Sequence, residues 1–428
     1  MGQSRKIVEE DDLQSSSDEF EGSHKVDGSA DEVQCDEERE DKEEHAHRLF
    51  EKTASEYEML AAEQFKFVRL KNTTQEKQNR RLSHGANDEE DLSITEERKR
   101  VDRFGFLPPS SPHPNSPMGV RRPLRVSRPE ARLENTRLEK WRAMLEKGIG
   151  NCADTVVKRR VRKGIPMPLK SAAWSVLLGV DALMATQPKL YGELQHVQDA
   201  PYEDKILRDI HRTLPETVFF REAGGVGQKK LFHVLRAVSV YDPILGYCQG
   251  MGYLTAFLLL FMTEEKVFWA VIALLKGHRW RLRGLYLDEM PRTMVVLYTL
   301  DKFIEQTMPE LFEHFKAEGI STHMYATKWI MTLFAQQFSN VLVVRIWDVF
   351  YNEGWKIIYR IALALLKISE ADLLDLTFEK ILKYLQDLPT TCLGSEEKVL
   401  DCAFKRINIT TKQMEEYEDS AEEFNRIT

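Results

Sequence analysis

The sequence predicts an all-α protein. Three observations carry that expectation. From Ala131 onward apolar residues recur at three- and four-residue spacing, Pro and Gly punctuate those runs, and no alternating run with a hairpin turn competes. With 428 residues, 42% of them hydrophobic, there is apolar material for at least one large core. Leu138, Trp141 and Leu145 lie on one face of a first helix. Leu169, Ala173, Val176 and Leu177 do the same for a second, which starts behind Pro166 and Pro168. The helical spacing then continues through "EDKILRDIHRTL", "QKKLFHVLRAVSVY", "GMGYLTAFLLLFM", "EKVFWAVIALL" and "TMVVLYTLDKFIEQ". It runs on through "TKWIMTLFAQQF", "VLVVRIWDVFYN", "WKIIYRIALALLKI" and "LTFEKILKYLQDL". Trp174, Trp329 and Trp347 fall inside these stripes and are expected in the core. Trp280 sits in the basic, less apolar "KGHRWRLRGLY", read as a loop that could touch a partner, which is not the favoured role.

Composition divides the chain. Residues 1–44 are acidic, Ser-rich and poor in aromatics, an expected disordered tail in which Ser15, Ser16 and Ser17 stand among acidic neighbours suited to phosphorylation. Residues 45–81 hold no Pro or Gly and allow a helix or a weak coiled coil, hence a dimerisation arm. Residues 82–130 form a linker rich in Pro and Ser, with Ser111-Pro112 and Ser116-Pro117 as proline-directed phosphorylation candidates. Residues 131–390 are the all-α domain, and 391–428 a polar tail with a fraying helix. No short internal repeat is present, which disfavours a solenoid.

Several function classes drop out. The net charge is −8, so a basic nucleic-acid surface is not expected, and "VVKRRVRKG" reads as a solvated face. Five scattered cysteines with no CxxC pair argue for a reducing compartment, without a disulfide framework or a zinc site. The first residues carry no apolar signal core, and Lys6 stands where a myristoylation pattern wants Ser or Thr. "YLTAFLLLFM" and "VFWAVIALL" are each too short to span a bilayer, so a soluble, cytosolic-type protein is expected. There is no HExxH, no GxSxG and no calcium loop. "GGVGQKK", residues 224–230, lacks the GK[ST] ending of a phosphate loop and reads as a turn ahead of a helix. No cofactor, metal or nucleotide site of the chain's own is expected.

Two places keep chemical interest. In "KILRDIHRTLPE", residues 205–216, Ile206 and Ile210 mark a buried stripe, and Asp209 and Arg212, three apart, flank it. Asp209 can accept a hydrogen bond from Arg212 and fix its direction, with Pro215 ending the helix behind it. On these residues alone, an arginine complementing the helix dipole is the commoner arrangement. The second place is "DPILGYCQGMG", residues 242–252. Asp242-Pro243 marks a turn, Gly246 permits unusual dihedrals, Gly250 and Gly252 leave space, and Tyr247 can anchor the loop by its hydroxyl. Gln249 then stands bare at a helix N-terminus, unless its amide satisfies loop backbone groups. Together a fixed guanidinium and a fixed amide are what GTP hydrolysis requires, the first for charge on the transferring phosphoryl group, the second for the attacking water. A protein without a phosphate loop can supply both in trans.

These residues resemble a known family, the TBC-domain GTPase-activating proteins for Rab GTPases. The resemblance covers roughly residues 158–390. "RKGIPMPLKSAAWSVLLG" is similar to its first motif, "ILRDIHR" to its IxxDxxR motif and "GYCQGM" to its YxQ motif. "THMYATKWIMTLFAQQF" and "VVRIWDVFYNEGWKIIYRIALALL", with Arg345, Ile346, Trp347 and Asp348, resemble its later helices. One departure is Lys170, where the family's first motif usually carries Arg four residues before its Trp, here Trp174. The resemblance implies two helical lobes in a V shape and a dual-finger mechanism. Arg212 would be the arginine finger and Gln249 the glutamine finger, with Ile206, Asp209, Tyr247 and Gly250 as supporting positions. It implies a GTP-bound Rab as partner, which brings its own GTP and Mg2+, and peripheral recruitment to the membrane where that Rab resides, in the service of vesicle trafficking. A non-catalytic Rab-binding effector or scaffold is the alternative.

Overall fold

The structure is a computed structural model that describes residues 128–198, 200–391 and 395–427. The expectations for the acidic tail, for the 45–81 arm and for nearly all of the linker lie outside those residues. Among the described residues there are helices and turns and no strand, which establishes the all-α class. No single helix there is long and apolar enough to cross a membrane.

Among the described residues eighteen α-helices follow one another: α1 (Arg128–Lys147), α2 (Asp154–Lys163), α3 (Lys170–Leu178), α4 (Val180–Thr186), α5 (Leu190–Leu194), α6 (Glu203–Ile210), α7 (Val226–Tyr241), α8 (Met251–Leu259), α9 (Glu264–Lys276), α10 (Arg283–Tyr286), α11 (Pro291–Thr307), α12 (Pro309–Ala317), α13 (Thr322–Met331), α14 (Asn340–Glu353), α15 (Trp355–Leu374), α16 (Phe378–Thr391), α17 (Glu396–Lys405) and α18 (Thr411–Ile427). They form two groups. In the first, α7 packs on α6, α8 and α9, and α9 covers α3 and α4. In the second, α11 packs on α13 and α18, and α15 packs on α14 and α17. Helix α14 reaches back to α2 and α3, and α10 sits between α9 and α11.

The seam between the groups is aromatic. Trp174 of α3 meets Phe261 at 4.8 Å and the edge of Tyr351 at 5.2 Å, and Phe257 of α8 meets Trp347 of α14 at 4.7 Å. Trp174, Trp329 and Trp347 are all fully buried, as their stripes require. Each such side chain contributes on the order of 1.5–3 kcal/mol of burial, so α8 is held rigidly along its length.

Beneath the aromatics lies a charged knot. Lys170 is only 2% exposed, and its Nζ donates to Asp348 Oδ1 at 2.7 Å and Oδ2 at 2.8 Å. Trp174 Nε1 and the Ile165 amide complete the acceptor set of Asp348, both at 2.9 Å. The position where the sequence departs from the motif it resembles thus forms an internal ion pair, which the Lys170 ammonium can make as a point charge without bidentate geometry.

Four expectations need correction. Val176 is exposed, because α3 buries the face carrying Ala173, Trp174 and Leu178 instead. Trp280 is buried, and its Nε1 donates to the Phe350 carbonyl at 3.2 Å, so it is core and not a loop anchor for a partner. The helix begun at Glu203 ends at Ile210, before Arg212. Pro at 215 disfavours the α-conformation for the residue before it, and Leu214 turns to φ 47. Finally, the polar stretch after residue 390 holds two packed helices. Val399, Leu400, Cys402 and Ala403 of α17 are buried, and α18 docks on α11 through Glu418, which receives Arg292 at 2.7 Å and the Tyr359 hydroxyl at 2.9 Å.

Candidate functional site

The two sequence segments singled out for chemistry meet. Ile206 and Ile210 face the core from α6 and are buried, which fixes the rotation of that helix and leaves Asp209 at its edge. The Asp209 carboxylate is 14% exposed and divides its oxygens. Oδ1 accepts from Arg212 Nη2 at 2.5 Å and Nε at 3.0 Å; Oδ2 accepts from the Tyr247 hydroxyl at 2.9 Å. Tyr247 is itself buried, and burial beside Asp209 pushes its phenol well above the ordinary tyrosine value, so it remains a proton donor. One carboxylate therefore ties the arginine segment to the glutamine loop.

Arg212 lies just past the helix end, its amide held by the Asp209 carbonyl at 3.2 Å. Its side chain is 55% exposed and, among the described residues, hydrogen-bonds to the Asp209 carboxylate and to no terminal carbonyl of α6. That geometry does not fit an arginine serving the helix dipole. It fits a guanidinium aimed by its neighbour toward solvent.

Gln249 is exposed, directly ahead of Gly250 and the first turn of α8, and its amide makes no hydrogen bond among the described residues. The alternative that it satisfies loop backbone groups is not what the structure has. Two glycines make the presentation possible. Gly246 has φ 58, and a Cβ there would lie 2.2 Å from the Tyr202 ring; Gly250 has φ 108 as it turns into the helix. Cys248, between Tyr247 and Gln249, is half-buried and its thiol is pushed up by burial, which keeps it neutral.

Three features escaped the sequence. Tyr253, one turn into α8, donates its hydroxyl to the Arg212 carbonyl at 3.0 Å, so the helix that starts at the glutamine also grips the arginine backbone. Asp242, read only as a turn residue, accepts from the Leu245 amide at 3.2 Å and from Arg283 Nε at 2.6 Å and Nη2 at 3.0 Å. The Arg283 guanidinium holds that carboxyl below its usual range. The third is Tyr286, whose hydroxyl donates to the Met331 carbonyl beneath Gly250. An acidic residue before a proline was a signal for a second partner; a tyrosine on an apolar helix was not. Among the described residues no group of three or more His, Cys, Asp or Glu is arranged to hold a metal ion.

Comparison with known proteins bears on the same region. Residues 167–374 match the Rab-GTPase-TBC domain, RabGAP-TBC. The chain is 35% identical over 263 residues to the human Ecotropic viral integration site 5 protein homolog, covering 61% of this chain and 32% of that protein. It is 37% identical over 231 residues to the Rab GTPase-activating protein tbc-11 of Caenorhabditis elegans, covering 53% of this chain and 24% of that one. The chain thus spans about a third or less of the length of these curated relatives. Among solved structures, the flagellar RabGAP TBC domain of Chlamydomonas superposes with a TM-score of 0.57 at 26% identity, over 71% of this chain and 99% of that one.

Proposed function

We propose, for a chain whose residues 167–374 belong to the RabGAP-TBC family, that it accelerates GTP hydrolysis by a Rab-family GTPase, lending Arg212 and Gln249 to the partner's nucleotide pocket. The observation that carries this reading is the single carboxylate of Asp209, which fixes an exposed guanidinium and, through Tyr247, the loop of an exposed amide. GTP and Mg2+ belong to the partner. Arg212 meets the negative charge that develops as the γ-phosphoryl group transfers, and Gln249 orients the attacking water in place of the GTPase's own glutamine. Arg212 is held by Asp209 before the partner arrives, and the backbone that carries Gln249 is held through Tyr247, so the ordering left is chiefly that of the Gln249 side chain. The protein acts from the cytosol at the membrane where its GTPase is anchored, in vesicle traffic.

An arginine of this kind is worth on the order of 10³–10⁵ in rate, or roughly 4–7 kcal/mol of barrier. Single-turnover GTP hydrolysis by a panel of Rab GTPases, with wild type, Arg212→Ala and Gln249→Ala, tests the reading. Acceleration of at least one GTPase by the wild type, lost in both variants while their thermal melts stay unchanged, is expected. Acceleration by the variants equal to wild type would remove both residues from the chemistry. Binding of a GTP-loaded Rab without acceleration by the wild type would leave a scaffold.

A further inference from the structure

We propose that Arg283 is a positioning residue for Gln249, acting through a bidentate grip on Asp242; the proposal deepens the functional reading above and rests on it for the role of Gln249. Residues 242–250 belong to no helix or strand, so no backbone ladder holds them. They are held instead at their two ends and at one point between. At the entry, Asp242 follows the last residue of α7. Its carbonyl accepts from the Gly246 amide at 2.8 Å, its Oδ1 accepts from the Leu245 amide at 3.2 Å, and both carboxylate oxygens receive Arg283 at 2.6 and 3.0 Å. At the midpoint stands the Tyr247 bond to Asp209. At the exit, a Cβ placed on Gly250 would lie 3.8 Å from Tyr286 Cε1 and 3.6 Å from the Met331 carbonyl, to which the Tyr286 hydroxyl donates at 2.8 Å.

Arg283 and Tyr286 are the first and last residues of α10, a single helical turn. One rigid turn therefore clamps the first residue of the glutamine loop and underlies its last. Other anchors of the entry half are weaker in direction. Ile244 is 80% exposed and contributes almost no burial, while Leu245 is buried, a force that sets depth without setting orientation. The planar fork of Arg283 on a carboxylate that is 8% exposed supplies the missing orientation. Among the described residues the Arg283 side chain hydrogen-bonds to no group other than Asp242. Lysine keeps the charge at this position but cannot make both bonds in one plane.

The test uses the full chain with Arg283→Ala and Arg283→Lys and has two readouts. The first needs no GTPase: the rate at which iodoacetamide alkylates Cys248, next to Gln249, followed by peptide mapping. Arg283→Ala is expected to raise that rate by about tenfold through local opening, with buried Cys402 unchanged as the internal control. The second is single-turnover hydrolysis with a GTPase that the wild type accelerates. Arg283→Ala is expected to lower the maximal rate by about 10- to 100-fold, to leave the half-saturating concentration within about twofold, and to add no loss in a Gln249→Ala background. Arg283→Lys restores part of the rate. Unchanged Cys248 labelling, an undiminished maximal rate, or an equal loss in both backgrounds each overturns the proposal. If Arg283→Ala unfolds, Asp242→Asn, which keeps the cap on Leu245 and weakens the ion pair, carries the same readouts. A wild type that accelerates no GTPase overturns the functional reading alone, since the labelling still decides whether Arg283 orders the loop.

Discussion

Asp348 and Lys170 are separated by 178 residues and meet with almost no solvent around them. Asp348 accepts four hydrogen bonds from three donor groups, the Lys170 ammonium, the Trp174 indole and the Ile165 amide, so its charge is compensated in place. Asp348→Ala would take the carboxylate away from a buried ammonium, and its expected cost is about 3–5 kcal/mol in denaturant unfolding, where a loss under about 1 kcal/mol would show the pair to be dispensable. The sequence flagged Lys170 as a departure from the family's arginine, but no local pattern could say which acidic residue receives it. Arg212 and Gln249 stood out more clearly, because their surroundings are local. An Asp three residues before an Arg, and glycines on either side of an amide, act through contacts a few residues long. Trp280 misled for the converse reason: four basic neighbours masked an indole whose acceptor, the Phe350 carbonyl, lies 70 residues on.

Helices with a wide apolar face were easy to find, and those that bury a narrow one were not. The last helix, α18, is acidic along most of its length and inserts Glu418 and Ala421 into the interior. Glu418 is 3% exposed against an Arg292 side chain that is 6% exposed, and the Tyr359 hydroxyl donates to the same carboxylate. Composition reads such a helix as a tail; only the face it buries makes it part of the fold. Glu418→Ala leaves Arg292 buried without its carboxylate, at an expected cost of about 3–5 kcal/mol, or roughly 6–20 °C in melting temperature for a domain of this size. A melt within about 2 °C of wild type would show α18 to be held by apolar contact alone. The one-turn α10 was missed for a related reason. Four residues give no periodicity, and what singles it out is the pair of side chains at its ends, Arg283 and Tyr286, both engaged with the glutamine loop.

Across the whole molecule, the helical packing places a loop from the start of α8 against the end of α6 and holds both from behind. The aromatic seam fixes α8, Tyr253 carries that rigidity to the Arg212 backbone, and α10 carries it to the entry of the loop. On the proposed reading, these two exposed polar groups on so well-braced a base serve a reaction centre that the partner GTPase brings. The most direct test takes a GTPase that the wild type accelerates, replaces the GTPase's own water-positioning glutamine by alanine, and measures single-turnover GTP hydrolysis with wild-type protein and with Gln249→Ala. The expected result is that wild type still accelerates the crippled GTPase and Gln249→Ala does not. Acceleration that vanishes with the GTPase's own glutamine, while Gln249→Ala keeps full activity on the intact GTPase, would contradict the lending of an amide from this chain.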